Sequence, residues 1–180
     1  MRIISGQFKG RLLKAPPEGT RPTADRAKEM LFDILNASLM RTQKQWSRVR
    51  FADVFAGSGA LGLEAISRGA KNVWLFEKNP VAQKIIRQNG RDMAFELYGD
   101  ALMPPKINKP MDILFMDAPY GKGLWEMALP AFDKQGWIDN KTLLIIELDA
   151  KEQPNLPNGF TLQQKRHQGR NTFLFLIKEV

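Results

Sequence analysis

The chain has no cysteine and one histidine, His167. A thiolate nucleophile, a disulfide framework, an iron–sulfur cluster and a Cys/His zinc site are therefore excluded, and no metal is expected. No run approaches the roughly eighteen apolar residues of a membrane span, so no membrane partner is expected. The start, Met1-Arg2-Ile3-Ile4-Ser5-Gly6, lacks the apolar stretch of a signal peptide. The expectation is a soluble cytoplasmic protein. Internal repeats and low-complexity tracts are missing too, and 43% hydrophobic with 26% charged residues over 180 positions exclude disorder and suffice for one core.

What the chain has in excess is positive charge, 27 Lys and Arg against 19 Asp and Glu, a net +8. Eleven of those cations and only four of the acids lie in residues 1–50, whereas residues 51–180 carry sixteen and fifteen. A basic extension over 1–50 packed on a nearly neutral body over 51–180, as one compact unit, fits an enzyme whose extension meets phosphates. A merely solvated surface produces the same count.

Residues 2–15 hold two short apolar runs about a glycine turn and predict a hairpin or a pair of edge strands, ended by Pro16, Pro17 and Gly19. From Thr23, apolar residues at Ala27, Met30, Leu31, Ile34, Leu35 and Leu39 predict a helix with Arg26 and Lys28 on its exposed face. After a polar join over 41–50, apolar runs alternate with helix-period segments, the pattern of a parallel sheet with helices on its faces. Strands are predicted near 51–55, 72–76, 94–98, 111–116 and 142–148. Helices are predicted over 60–68, closed by Gly69, and from Pro80, capped by Asn79, to about Arg91. A further helix over 124–133 should bend or end at Pro130. Residues 160–165 and 172–178, joined through His167-Gln168-Gly169-Arg170, predict a closing hairpin.

The first strand turns through Ala56-Gly57-Ser58-Gly59-Ala60-Leu61-Gly62 into a helix, so Gly57, Gly59 and Gly62 meet the GxGxxG spacing in its strand–turn–helix setting. Glu77, at the end of the second strand, suits ribose hydroxyls. ATP fails as the ligand because Leu63-Glu64 follows Gly62 where a phosphate loop needs Lys-Ser/Thr. NAD stays open, disfavoured by Asp53, whose charge would repel a pyrophosphate. S-adenosylmethionine has no phosphate and carries a sulfonium and an ammonium, which a carboxylate beside the loop suits. Asp100 could accept from an adenine amino group or simply form a turn.

The fourth strand ends in Asp117-Ala118-Pro119-Tyr120, which in a doubly wound sheet faces the same crevice as the glycine loop. A base's exocyclic amino group is a poor nucleophile because its lone pair is delocalised. The Asp117 carboxylate and the Ala118 carbonyl could accept its two hydrogens and align it, with Tyr120 stacked on the base. A surface turn is the alternative. A serine hydrolase is disfavoured because Ser58 sits in Gly-Ser-Gly rather than GxSxG.

Asp53-Val54-Phe55-Ala56-Gly57-Ser58-Gly59 with Glu77, Asp100 and Asp117-Ala118-Pro119-Tyr120 resembles the class I S-adenosylmethionine-dependent methyltransferases that methylate amino groups. The whole chain resembles the RsmD-type bacterial 16S rRNA guanine-N2 methyltransferases, through Arg2-Ile3-Ile4-Ser5-Gly6, Lys9-Gly10-Arg11, Thr20-Arg21-Pro22-Thr23, Asp25-Arg26, Glu29, Leu63-Glu64-Ala65, Ser67-Arg68-Gly69-Ala70 and Glu147. The resemblance implies a Rossmann-like α/β fold. Its seven-stranded sheet would be mostly parallel with a C-terminal antiparallel hairpin, with helices on both faces and a small N-terminal hairpin and helix. It implies S-adenosylmethionine as cofactor, S-adenosylhomocysteine as product, and 16S rRNA or the assembling small subunit as partner of a monomer. It further implies a cofactor site of Asp53, Phe55, Ala56, Gly57, Ser58, Gly59, Gly62, Glu77, Lys78, Asp100 and Ala101, and a catalytic loop of Asp117, Ala118, Pro119 and Tyr120.

The family usually has Asp/Asn-Pro-Pro-Tyr/Phe, and Ala118 stands in place of the first proline. The carbonyl survives that change but the fixed φ does not, so lowered activity is expected. Arg2, Lys9, Arg11, Lys14 and Arg21 are the expected phosphate contacts, with Arg21-Pro22-Thr23 alternatively beside the cofactor. An NAD-linked reductase and a non-catalytic or weakened RNA-binding remnant remain as alternatives, as does methylation of another nucleic-acid amino group.

Overall fold

The computed structural model describes residues 1–16, 25–152 and 156–180. Its sheet has seven strands: β1 (Arg50–Val54), β2 (Asn72–Phe76), β3 (Glu96–Tyr98), β4 (Ile113–Met116), β5 (Leu143–Asp149), β6 (Phe160–Gln168) and β7 (Asn171–Lys178). Their order is β3-β2-β1-β4-β5-β7-β6. The first five strands run parallel, and β7 is antiparallel to both β5 and β6. Among the described residues the α-helices are α1 (Asp25–Arg41), α2 (Ala60–Ser67), α3 (Pro80–Asn89) and α4 (Leu124–Lys134). None is long and apolar enough to cross a membrane.

The parallel strands are apolar on both sides because helices cover both sheet faces. Phe51, Leu75, Phe115 and Ile145 point to one face, where Leu31, Phe32 and Leu35 of α1, Leu61 of α2 and Ile86 of α3 meet them. Val54, Phe76, Met116 and Ile146 point to the other, against Trp125, Leu129 and Phe132 of α4 and the buried Trp137. Phe76, Phe132 and Trp137 form edge-on aromatic contacts with centroids 4.9–5.5 Å apart.

Residues 1–13 form the expected hairpin, outside the seven-stranded sheet: Arg2 bridges Leu12, and the Ile3, Gly10 and Leu13 amides donate to the Arg11, Ile3 and Met1 carbonyls at 2.9–3.1 Å. Several other expectations need correction. Pro17, Gly19 and the predicted helix start at Thr23 lie outside the described residues. The helix containing Pro130 runs on to Lys134, because one missing donor on an exposed face is outweighed by the buried Trp125, Ala128, Leu129 and Phe132 stripe. The C-terminal hairpin is longer than expected and turns through Gly169 and Arg170 alone, with Gly169 at φ +62°.

Lys28 is fully buried rather than exposed. Its ammonium reaches the Arg2 carbonyl and lies 3.6 Å from Glu64, itself fully buried. Glu64 also accepts from the Ile4 and Ser5 amides at 2.7 and 3.0 Å and from Arg68 at 2.8 Å. Burial lowers the Lys28 pKa and Glu64 opposes that shift. Removing one partner of such a pair costs about 3–5 kcal/mol. This cluster seats the N-terminal segment on the end of α2, where Gly6 is required: a Cβ there would lie 1.8 Å from the Ser67 carbonyl oxygen.

Candidate active site

The switch point of the sheet lies between β1 and β4, where neighbouring connections leave in opposite directions and open a crevice at the strand ends. Phe55 leaves β1 in the left-handed region, at φ +66°, a conformation costing an L residue roughly 1–2 kcal/mol. The Ala56 amide donates to the Phe76 carbonyl at 2.8 Å, fastening the loop to the end of β2. Gly57 and Gly59 supply positive φ, and the Gly57 amide donates to Glu77 Oε2 at 2.8 Å. Gly62 serves close packing: its Cβ would meet Leu75 Cδ2 at 2.2 Å, and its amide donates to Asp53 Oδ2 at 2.9 Å. Asn89 holds the back of the loop, donating to the Ser58 and Lys14 carbonyls at 3.0 Å each.

The crevice is a cavity of about 660 Å³. Asp53, Phe55, Ala56, Gly57, Ser58 and Glu77 line one side. Asp117, Ala118, Pro119 and Tyr120 line the other with Glu147, and the β6–β7 turn forms the far wall. Four carboxylates thus face one space, while the cations on its lining, Arg26 and Arg170, are exposed. Burial pushes Asp53 up to about 7, with Glu77 adding to the rise and the Gly62 hydrogen bond opposing it. Burial raises Asp117 as well, reinforced by Asp53. Glu147 is held well above the usual carboxylate range by burial, then by Asp117 and Asp53. Among the described residues no cation pairs with these buried carboxylates, which favours a cationic ligand. No group of acids and histidines among the described residues is arranged to hold a metal ion.

The remaining expected cofactor residues lie off the cavity lining. Gly59 and Gly62 shape the loop from behind. Ala101 is buried in the core. Asp100 has both oxygens engaged, with Lys78 Nζ at 2.8 Å and the Leu102 amide at 2.9 Å, and this pairing holds its pKa low.

Among the expected phosphate contacts, Lys9 and Lys14 are exposed, and Lys14 reaches Gln88 at 3.4 Å. Arg2 lies 3.8 Å from Asp25. Arg11 is drawn inward, onto Asp92 at 3.0 Å and over the Phe8 ring. Arg21 lies outside the described residues. Sequence reasoning assigned no role to Glu147, although an acid inside the apolar run Leu143-Leu144-Ile145-Ile146 and Leu148 was a signal available to it. The Gln168–Asn171 wall had no such signal, because only strand pairing brings it to the crevice.

The family described as "Conserved hypothetical protein 95" matches residues 1–177. "Ribosomal RNA small subunit methyltransferase D" of Escherichia coli K12 is 32% identical over 187 residues, covering 99% of this chain and 90% of that one. Its namesake from Haemophilus influenzae is 30% identical, covering 94% and 89%. The solved structure of a hypothetical protein from Thermus thermophilus superposes with a TM-score of 0.76 at 28% identity, covering 100% of this chain and 99% of that one. A ribosomal protein methylase from Lactobacillus delbrueckii shares the fold at 19% identity, with a TM-score of 0.65 over 93% and 86% of the two chains.

Proposed function

Because the chain belongs to the Conserved hypothetical protein 95 family, whose curated relatives are named small-subunit ribosomal RNA methyltransferases, we propose that it methylates the exocyclic N2 amino group of a guanine in 16S rRNA. The observation that carries this reading is the cavity at the β1/β4 switch, which has the glycine loop on one side and Asp117-Ala118-Pro119-Tyr120 on the other. S-adenosylmethionine fits its chemistry, since buried carboxylates welcome a sulfonium and an ammonium and would repel a pyrophosphate. NAD is disfavoured on the same ground. Asp53, Glu77 and the Phe55–Ser58 loop would hold the cofactor, which when bound supplies a methyl group on a sulfonium.

The rest of the work belongs to the chain. Asp117 and the Ala118 carbonyl accept the two amino hydrogens and turn the nitrogen lone pair toward the methyl group. Burial raises the basicity of the ionised Asp117 carboxylate, which suits it to take the proton that the nitrogen must lose. Tyr120 and Pro119 flank a base flipped from its stack. RNA as partner also agrees with the net charge of +8.

The test is transfer of labelled methyl from S-adenosylmethionine to unmethylated small subunits and to naked 16S rRNA, followed by nucleoside mass spectrometry. N2-methylguanosine is the expected product. Label in another nucleoside, or none in either substrate, would overturn the reading.

A further inference from the structure

Glu147 is 2% exposed and lines the cavity. Its Oε1 accepts from the Asn171 side chain, while its Oε2 is buried without a hydrogen-bond partner among the described residues. A buried carboxylate oxygen left unmatched is destabilising, and in a cavity wall it is an acceptor awaiting a donor. Met116 pairs with Ile146, so Asp117 and Glu147 are neighbours at the ends of adjacent parallel strands. Phe115 and Ile145, two residues earlier, share the α1 side of the sheet, and strand alternation turns Asp117 and Glu147 to that side too.

The donor that Glu147 awaits is identified by sheet order. Glu77 and the glycine loop follow β2 and β1, whereas Glu147 lies beyond Asp117 on the far side of β4. The cofactor belongs beside the first pair, and Glu147 faces the space left for the base. Guanine's Watson–Crick edge offers three donors in a row, N1–H and the two hydrogens of N2. Asp117 and the Ala118 carbonyl account for the latter two. Resting on the guanine-N2 reading, we infer that Glu147 is the specificity residue: its free oxygen accepts the N1–H of the target guanine. The N1–H donor stabilises the ionised Glu147 carboxylate against the burial that otherwise keeps it protonated, and adenine, which sets a lone pair against that ionised oxygen, is rejected.

The test uses 2-aminopurine, which keeps an amino group at C2 but has no N1–H. Small subunits are reconstituted with 16S rRNA carrying either guanine or 2-aminopurine at the methylated position, and single-turnover rates are compared for wild type and Glu147→Gln. Wild type is expected to prefer guanine by about 100-fold, the scale of one hydrogen bond to a charged group. In Glu147→Gln the amide oxygen stays with Asn171 and the NH₂ faces the base. The guanine rate should then fall about 100-fold and the preference collapse, with S-adenosylmethionine affinity by calorimetry unchanged.

Equal wild-type rates on both bases overturn the inference without needing the variant. So does an unchanged preference in Glu147→Gln, or loss of its cofactor affinity. Wild type inactive on both bases overturns the guanine-N2 reading itself, and the inference with it.

Discussion

Asp117 is the residue on which the proposed chemistry turns, because it sits at the end of β4 between the glycine loop and Glu147. Asp117→Ala should lower single-turnover methyl transfer by about 100-fold or more, with cofactor binding retained, whereas Asp117→Asn keeps an acceptor oxygen and should lose less. Ala118 makes no amide hydrogen bond among the described residues, so a proline there would sacrifice none. Ala118→Pro should therefore raise the transfer rate by stiffening the loop, and stopped-flow or quench-flow rates would check it. The acids also set a pH dependence. Asp53 titrates near 7 in the folded chain against an ordinary value of 3.8. Between those values the folded state holds a proton that the unfolded state has released, so stability falls as pH rises through that window and stays lower above it. Melting temperature should fall between about pH 4 and pH 7, and Asp53→Asn should flatten the fall. S-adenosylmethionine affinity should move the opposite way, rising through about pH 7 as the carboxylates ionise, which titration calorimetry would show.

At the scale of elements, α4 tolerates a proline that its local sequence argues against. Pro130 lacks the N–H that would bond the Glu126 carbonyl, and the helix continues because its buried face packs under the sheet. Pro130→Ala should raise unfolding free energy by about 1–3 kcal/mol in a denaturant titration, since the side chain is exposed and only the backbone gains. The apolar spacing of α1 makes its period legible and sets Lys28 on the buried stripe, against the exposed face its charge suggests. The stripe neighbours of Lys28, Phe32 and Leu35, are apolar, and the acid that neutralises it comes from α2. Asn79 and Pro80 announce the start of α3 because a cap is local chemistry: Asn79 Oδ1 accepts from the Val81 amide at 2.8 Å. The N-terminal hairpin is legible in sequence but its seat is not: the Ile4, Ser5 and Phe8 amides around its turn are satisfied by Glu64 and Ser67 of α2.

Across the whole molecule the net charge of +8 predicts RNA binding that weakens steeply with salt. Composition cannot say which cations contribute. Lys9 is exposed, so Lys9→Ala should reduce the salt slope of RNA affinity by about one. Arg11 is occupied by Asp92 and Phe8, so Arg11→Ala should lower the melting temperature and leave that slope nearly unchanged. Filter binding across a salt series, with thermal denaturation of both variants, separates the two outcomes.

The sequence by itself determined the sheet-and-helix alternation, the glycine turn and the acids at the ends of β1, β2 and β4. Each of these depends on residues close together along the chain, through side-chain period, turn stereochemistry and capping. Only the tertiary structure decided that Lys28 is buried on Glu64, that Arg11 turns inward, that the β6–β7 turn walls the cavity and that Glu147 keeps an oxygen unpaired among the described residues. Those outcomes depend on which distant groups the strand order brings together, and on how far water is excluded once they meet. Local periodicity encodes neither.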